Sequence, residues 1–158
     1  MLGAVSVADR LRALGIELPA PAAPAGNYVP AVLAGDLLFL AGAGPALPGG
    51  GWVRGKVGDG GLDVAAARDA ARLVGLQLLA AMRAELGDLD RVRRVVKVLG
   101  MVNCAPGFTA TPAVIDGCSD LFVEVLGDAG RGARSAVGLA ELPFGIAVEI
   151  EAVVQVHP

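Results

Sequence analysis

A chain of 158 residues with two cysteines and a formal net charge of -3 lacks the basic balance of a nucleic-acid binder and the cysteine density of a disulfide scaffold. Its single histidine, His157, stands one residue from the end of the sequence, which argues against histidine metal clusters and a Ser-His-Asp triad. At 54% hydrophobic but only 4% aromatic, the chain can bury a large core, built from Val, Leu and Ala rather than from rings.

Val7 to Leu14 reads as a short helix, with Val7, Leu11 and Leu14 on one face. Pro19 to Gly26 reads as an extended arm, because its prolines forbid a regular helix. Asn27 to Leu33 predicts a first strand with Pro30 on an edge, and Leu37 to Ala41 a second, buried one. Gly35-Asp36 turns the chain between them into a hairpin. The long uncharged run Leu18 to Gly35 carries Pro19, Pro21, Pro24 and Pro30 and is no membrane helix. The N-terminal residues show no basic segment followed by an apolar run. The expectation is a soluble, cytoplasmic protein: one domain over 1–158, with 1–26 as an N-terminal extension and arm.

Gly42-Ala43-Gly44-Pro45 follows the second strand directly. It lacks the Lys and Ser/Thr of a phosphate-binding P-loop, and Pro45 breaks the dinucleotide fingerprint, so it reads as a tight turn. Pro48 to Gly61 is a loop in which Trp52-Val53 could form a short strand. Asp63 offers an N-cap for a long helix, Val64 to Leu86, which Gly87 stops. Ala67, Ala71, Val74, Leu78, Ala81 and Met82 form its apolar stripe, a core face rather than a cofactor box. Asp90 to Val102 predicts a Val-rich strand, apolar on both faces. Its dense basic run, Arg91, Arg93 and Arg94, reads as a solvated strand start. After a loop from Asn103, Thr111 as cap and Pro112 at the first position open a second helix running to about Val125. Its packing face holds Ile115, Cys118, Leu121, Phe122 and Val125, so Cys118 reads as structural, while Cys104 could border a pocket.

Leu86-Gly87-Asp88 and Leu126-Gly127-Asp128 close the two helices alike, which suggests two strand-helix-strand halves. The elements then give an α+β chain: one mixed sheet with both helices packed on one face. Gly132 to Val156 reads as two strands joined by a turn at Leu142-Pro143-Phe144-Gly145. Val148, Ile150, Ala152, Val154 and Val156 share one face of the last strand; Glu149, Glu151, Val153 and Gln155 share the other. Arg134, among small and apolar neighbours, either faces water at a strand end, paired with Glu149 or Glu151, or meets an anion.

Arg134-Ser135-x-Val137, Leu142-Pro143 and Glu149-Ile150-Glu151-Ala152 together resemble the signature of the RidA family, also called YjgF/YER057c/UK114, and the likeness extends from about Leu14 to Val156. The resemblance implies a chorismate-mutase-like fold, a homotrimer with sites between subunits, and no metal or other cofactor. It implies hydrolysis of reactive enamine or imine acids, such as 2-aminoacrylate, to 2-oxo acids and ammonia. Carried over by position, Arg134 grips the substrate carboxylate, Glu149 helps place the attacking water, Gly42 lines the ligand loop, and Tyr28 closes the site from a neighbouring subunit. The implied partners are a small carboxylate and other copies of the chain, not nucleic acid or membrane. Where the family loop reads Ser-Gly-Gln this chain has Ala41-Gly42-Ala43, and the family's Cys beside the Arg is Ala136. The family's Asn before the second helix falls at Pro112, so no role is carried there. The alternatives are a non-catalytic small-carboxylate binder or stress-response protein of the same fold and, last, the family's endoribonuclease label.

Overall fold

Asp63 starts the longest helix. Its carboxylate accepts a hydrogen bond from the Ala66 amide at 2.8 Å, and Gly87 closes the far end at φ 79°, so α2 spans Val64–Leu86 as the caps predict. The structure is a computed structural model that describes residues 5–158. Before α2 come α1 (Val7–Ala13), capped by Ser6, and two strands, β1 (Ala31–Ala34) and β2 (Leu37–Ala43). After it come β3 (Val92–Asn103), α3 (Thr111–Leu126), β4 (Ala133–Leu139) and β5 (Val148–Val156). They form one mixed sheet in the order β1-β2-β5-β3-β4.

The topology holds two parallel crossovers. β3 and β4 pair in parallel with α3 as the connection. β2 and β3 each run antiparallel to β5, so they too are parallel to each other, with α2 as their connection. Both helices pack on the same sheet face and against one another. Val74, Leu78, Met82, Ile115, Leu121 and Phe122 are fully buried there with Val95, Val102, Ile150 and Val154 from the sheet. The opposite face has no covering layer among the described residues, and Val32, Phe39 and Val137 are 40–50% exposed on it.

Several expectations are corrected. β4 and β5 are not a hairpin, because β3 lies between them. β1 is shorter than Asn27–Leu33: Pro30 stands just outside the strand, and its carbonyl accepts from the Ala41 amide at 2.9 Å. β2 runs on through Gly42 to Ala43, with a register shift after Leu40, so no tight turn follows Ala41. Trp52 and Arg54 make only isolated bridges, to Ala46 and Ile146. β3 starts after a 3-10 turn over Leu89–Arg91, and Val96 on it is 37% exposed, so it is not apolar and buried on both faces. Ala110, not Thr111, occupies the cap position of α3; the Thr111 hydroxyl instead donates to the Ala136 carbonyl at 3.0 Å and ties the helix to β4.

Candidate functional site

Between the arm that precedes Pro30 and the end of β2 lies a cavity of about 590 Å³. Arm residues 22–30 make one wall and β2 from Ala41 to Gly44 makes another. Gln77, Leu78 and Ala81 of α2 line it on one side, Trp52, Phe144, Ile146 and Glu149 on the other. Tyr28 pins the arm: its hydroxyl accepts the Ala25 amide at 3.1 Å. The lining is mainly apolar.

Two glycines explain why the side chains sit where they do. A Cβ on Gly42 would stand 2.2 Å from Glu149 Oε1, and one on Gly44 would stand 2.7 Å from the Trp52 ring. The Gly-Ala-Gly run is thus room for a carboxylate and an indole rather than a phosphate cradle or a turn. Pro143 to Gly145 forms a 3-10 turn in which Phe144 holds φ 58°, a strained value for a residue with a Cβ, and the residue is 68% exposed beside the cavity. The turn is held by the Gly55 amide donating to the Gly145 carbonyl at 2.9 Å. Buried Asn103 reinforces it, donating to the Ile146 carbonyl at 3.1 Å and accepting from Lys56 Nζ at 3.0 Å.

Two polar groups in the cavity stand out. Glu149 alternates with fully buried Val148 and Ile150, so it lies on the sheet face away from the helices. Burial, and secondarily the charge of Glu151, push its carboxyl above the ordinary range. Gln77 lies on α2, across the sheet, and its buried Oε1 has no hydrogen-bond partner among the described residues. The cavity therefore wraps over the open end of β2 from one face to the other. Gln77 falls on the apolar stripe of α2, three residues after Val74 and four before Ala81, and the signal it offers in the sequence is a lone amide among Leu76, Leu78 and Leu79.

The sequence-derived site residues divide into two groups. Tyr28, Gly42 and Glu149 come together in the cavity, and Ala41 and Ala43 line it with methyl groups. Arg134 does not join them: it stands on edge strand β4, beyond β3, opposite Val98. Nor does it pair with Glu149 or Glu151. Nη1 donates to Asp116 Oδ1 at 2.7 Å and to Ser119 Oγ at 3.1 Å, both on α3. A guanidinium carries five donors, and these contacts use one nitrogen of the fork. Cys118 is fully buried and its thiol is pushed up to about 12 by burial, as befits a structural role. Cys104 borders a second, more open hollow with Lys56, Phe108 and Glu141, and burial raises its thiol as well. No group of three or more metal-ligating side chains occurs among the described residues. No helix among them is long and apolar enough to cross a membrane.

Comparison with known proteins matches residues 8–147 to the family described as "YjgF/chorismate_mutase-like, putative endoribonuclease". Protein TCP17 of Trypanosoma cruzi is 49% identical over 152 residues, which is 96% of this chain and 94% of that protein. A solved structure from Agrobacterium tumefaciens, of unknown function, superposes with a TM-score of 0.87 at 43% identity, covering 96% of this chain and 94% of its own. RidA from a Psychrobacter species superposes at 0.61 with 28% identity, covering 87% and 94%.

Proposed function

Because the chain belongs to the YjgF/chorismate-mutase-like family, we propose that it is a cytoplasmic RidA-type hydrolase of reactive 2-imino and enamino acids. The observation that carries this reading is Glu149: a half-buried carboxylate seated over Gly42 in a mainly apolar cavity, with its proton affinity raised. A base with a raised pKa is a better proton acceptor near neutral pH than an ordinary carboxylate. An enamine such as 2-aminoacrylate first tautomerises to its imine. Glu149 takes a proton from water, the hydroxide bonds to C2 and that proton passes to nitrogen, giving a 2-amino-2-hydroxy acid; the hydroxyl proton of this intermediate then passes to nitrogen as the C–N bond breaks, and ammonia and the 2-oxo acid leave. No electrons are exchanged, so no redox cofactor is needed.

The reading places Arg134 on the substrate carboxylate, where its planar fork suits a bidentate pair. Arg134 is separated from the cavity by β3 within one protomer. The two halves meet only if a neighbouring copy supplies one of them. We therefore take the working form to be a homotrimer associated through the uncovered sheet face, with Tyr28, Gly42 and Glu149 of one copy facing Arg134 of the next. The exposed Val32, Phe39 and Val137 support such an association.

The test is release of 2-oxo acid and ammonia from freshly generated 2-aminoacrylate. Arg134→Ala should abolish the acceleration and weaken carboxylate binding by roughly 1.5–3 kcal/mol. Glu149→Gln should cost turnover and largely spare binding. No acceleration by an intact oligomer would sink the hydrolase reading. A second reading, a small-carboxylate binder without catalysis, is favoured by one observation: Ala41, Ala43 and Ala136 leave the site few polar groups. Ligand binding without turnover would establish it. The endoribonuclease label finds little support in an acidic chain with an apolar cavity.

A further inference from the structure

The uncovered face of the sheet is not apolar throughout. In β5 the buried Val148, Ile150, Ala152 and Val154 face the helices, so Glu149, Glu151, Val153 and Gln155 face the open side. In β3 the buried Val98, Gly100 and Val102 likewise leave Lys97, Leu99 and Met101 on it. Lys97 lies opposite Val153 and Leu99 opposite Glu151, so the cation and the carboxylate stand one step apart, diagonally, across two neighbouring strands. Neither has an ion-pair partner among the described residues. Lys97 turns the other way: its Nζ donates to Ser135 Oγ on β4 at 2.7 Å, which uses one of its three donors. Charges on an edge strand discourage unwanted pairing, but β3 and β5 are interior strands of the sheet, so that purpose does not account for these two. Phe39, Leu99, Met101, Val137 and Val153 frame them on the same face.

We infer that the two charges are halves of an ion pair made between copies of this chain, with Lys97 of one copy on Glu151 of the next. It rests on the homotrimer proposed with the hydrolase reading. Whatever covers this face must bury its apolar frame and also answer one cation and one anion. A second copy carries the same frame and the same two charges, and a closed ring answers every one of them with none left over. The pair also fixes how the copies meet. An interface shifted along the strands would set Glu151 against apolar side chains and bury a charge without a partner, which is costly. The frame thus supplies the adhesion and the pair supplies the register.

Light scattering on the full chain first gives its oligomeric state, and dilution gives the concentration at which it dissociates. Lys97→Glu and Glu151→Lys should each raise that concentration at least about thirtyfold, because like charges then meet across the closed interface. The chain carrying both changes should return to within about tenfold of the wild type. Arg94→Glu, at the outer end of the same strand, should leave it unchanged. A pair made inside one protomer would give the same results, so the two single variants, one isotope-labelled, are also unfolded together and reassembled in equal amounts. Random assembly makes about three-quarters of the trimers mixed. Each mixed trimer joins opposite charges at two of its three interfaces, so native mass spectrometry should find the mixed species well above that share. The doubly changed chain and the mixture keep the test decisive where a single variant does not fold alone, since each restores opposite charges. A random share overturns the inference, as does unchanged dissociation in either single variant or an equal loss in Arg94→Glu. A stable wild-type trimer with a random share removes this pair and leaves the trimer reading intact. A wild-type chain that stays monomeric removes both.

Discussion

Glu149 and Arg134 carry the proposed chemistry, and each is held by a neighbour that sets its limits. Burial first, then the charge of Glu151, raise the carboxyl of Glu149. A carboxyl raised on folding favours its protonated form in the native state. Its ionisation therefore costs stability at neutral pH, and the cost disappears as pH falls through the raised value. Glu149→Gln carries no charge at any pH. It should melt above the wild type near pH 7, and the two melting curves should converge in the acid range; a constant gap across pH would contradict the assignment. The same shift places the acid limb of turnover above the ordinary carboxylate range. Arg134 meets the opposite constraint, since Asp116 neutralises part of its charge at 2.7 Å. A substrate carboxylate must share the fork with that aspartate. Asp116→Asn should strengthen carboxylate binding several-fold while changing stability by less than about 1 kcal/mol, the range of a half-exposed ion pair. Weaker binding in Asp116→Asn would show instead that Asp116 orients the guanidinium.

At the level of elements, the helices were legible and the glycines between them were not. Asp63 and Gly87 fix α2 because caps act through neighbours in sequence, and the 3.6-residue stripe follows from the same local rule. Nothing local marks Gly117 as the place where α3 touches α2, yet a Cβ there would stand 2.0 Å from the Arg68 carbonyl oxygen. At Gly75 the nearest obstacle is the tip of Leu121, 2.8 Å away, which can rotate. Alanine gains about 1 kcal/mol of helix propensity at either position. Gly117→Ala should nonetheless destabilise by about 1–3 kcal/mol, because backbone cannot yield as a side chain can. Gly75→Ala should be near neutral. Urea unfolding with an unchanged m-value distinguishes them. The Thr111 cap misled for a related reason: its hydroxyl found the Ala136 carbonyl of β4, a tertiary partner that the sequence around Thr111 does not announce.

At the level of the molecule, alternation placed every core residue of β5 correctly and said nothing of its partners. A short turn favours pairing of the two strands it joins, but β3 takes the position between β4 and β5 because α3 returns β4 to its far edge. That exchange decides the site. With β3 interposed, Arg134 and Glu149 cannot serve one substrate within one protomer, though they stand only fifteen positions apart in the chain. Either the two residues act in different places, or the substrate lies between copies. The second alternative makes a quantitative prediction. Arg134→Ala retains an intact cavity and Glu149→Gln retains an intact guanidinium, so each is inactive alone. When the two are unfolded together and reassembled in equal amounts, about a quarter of the interfaces in a cyclic trimer pair an intact Arg134 with an intact Glu149. Activity should return to about a quarter of the wild-type level, while each variant reassembled alone stays inactive. Light scattering on the same sample establishes whether the assembly has formed. A full-sized assembly with no recovered activity would mean that the guanidinium and the carboxylate never share a substrate, and Arg134 would revert to a tie between β4 and α3.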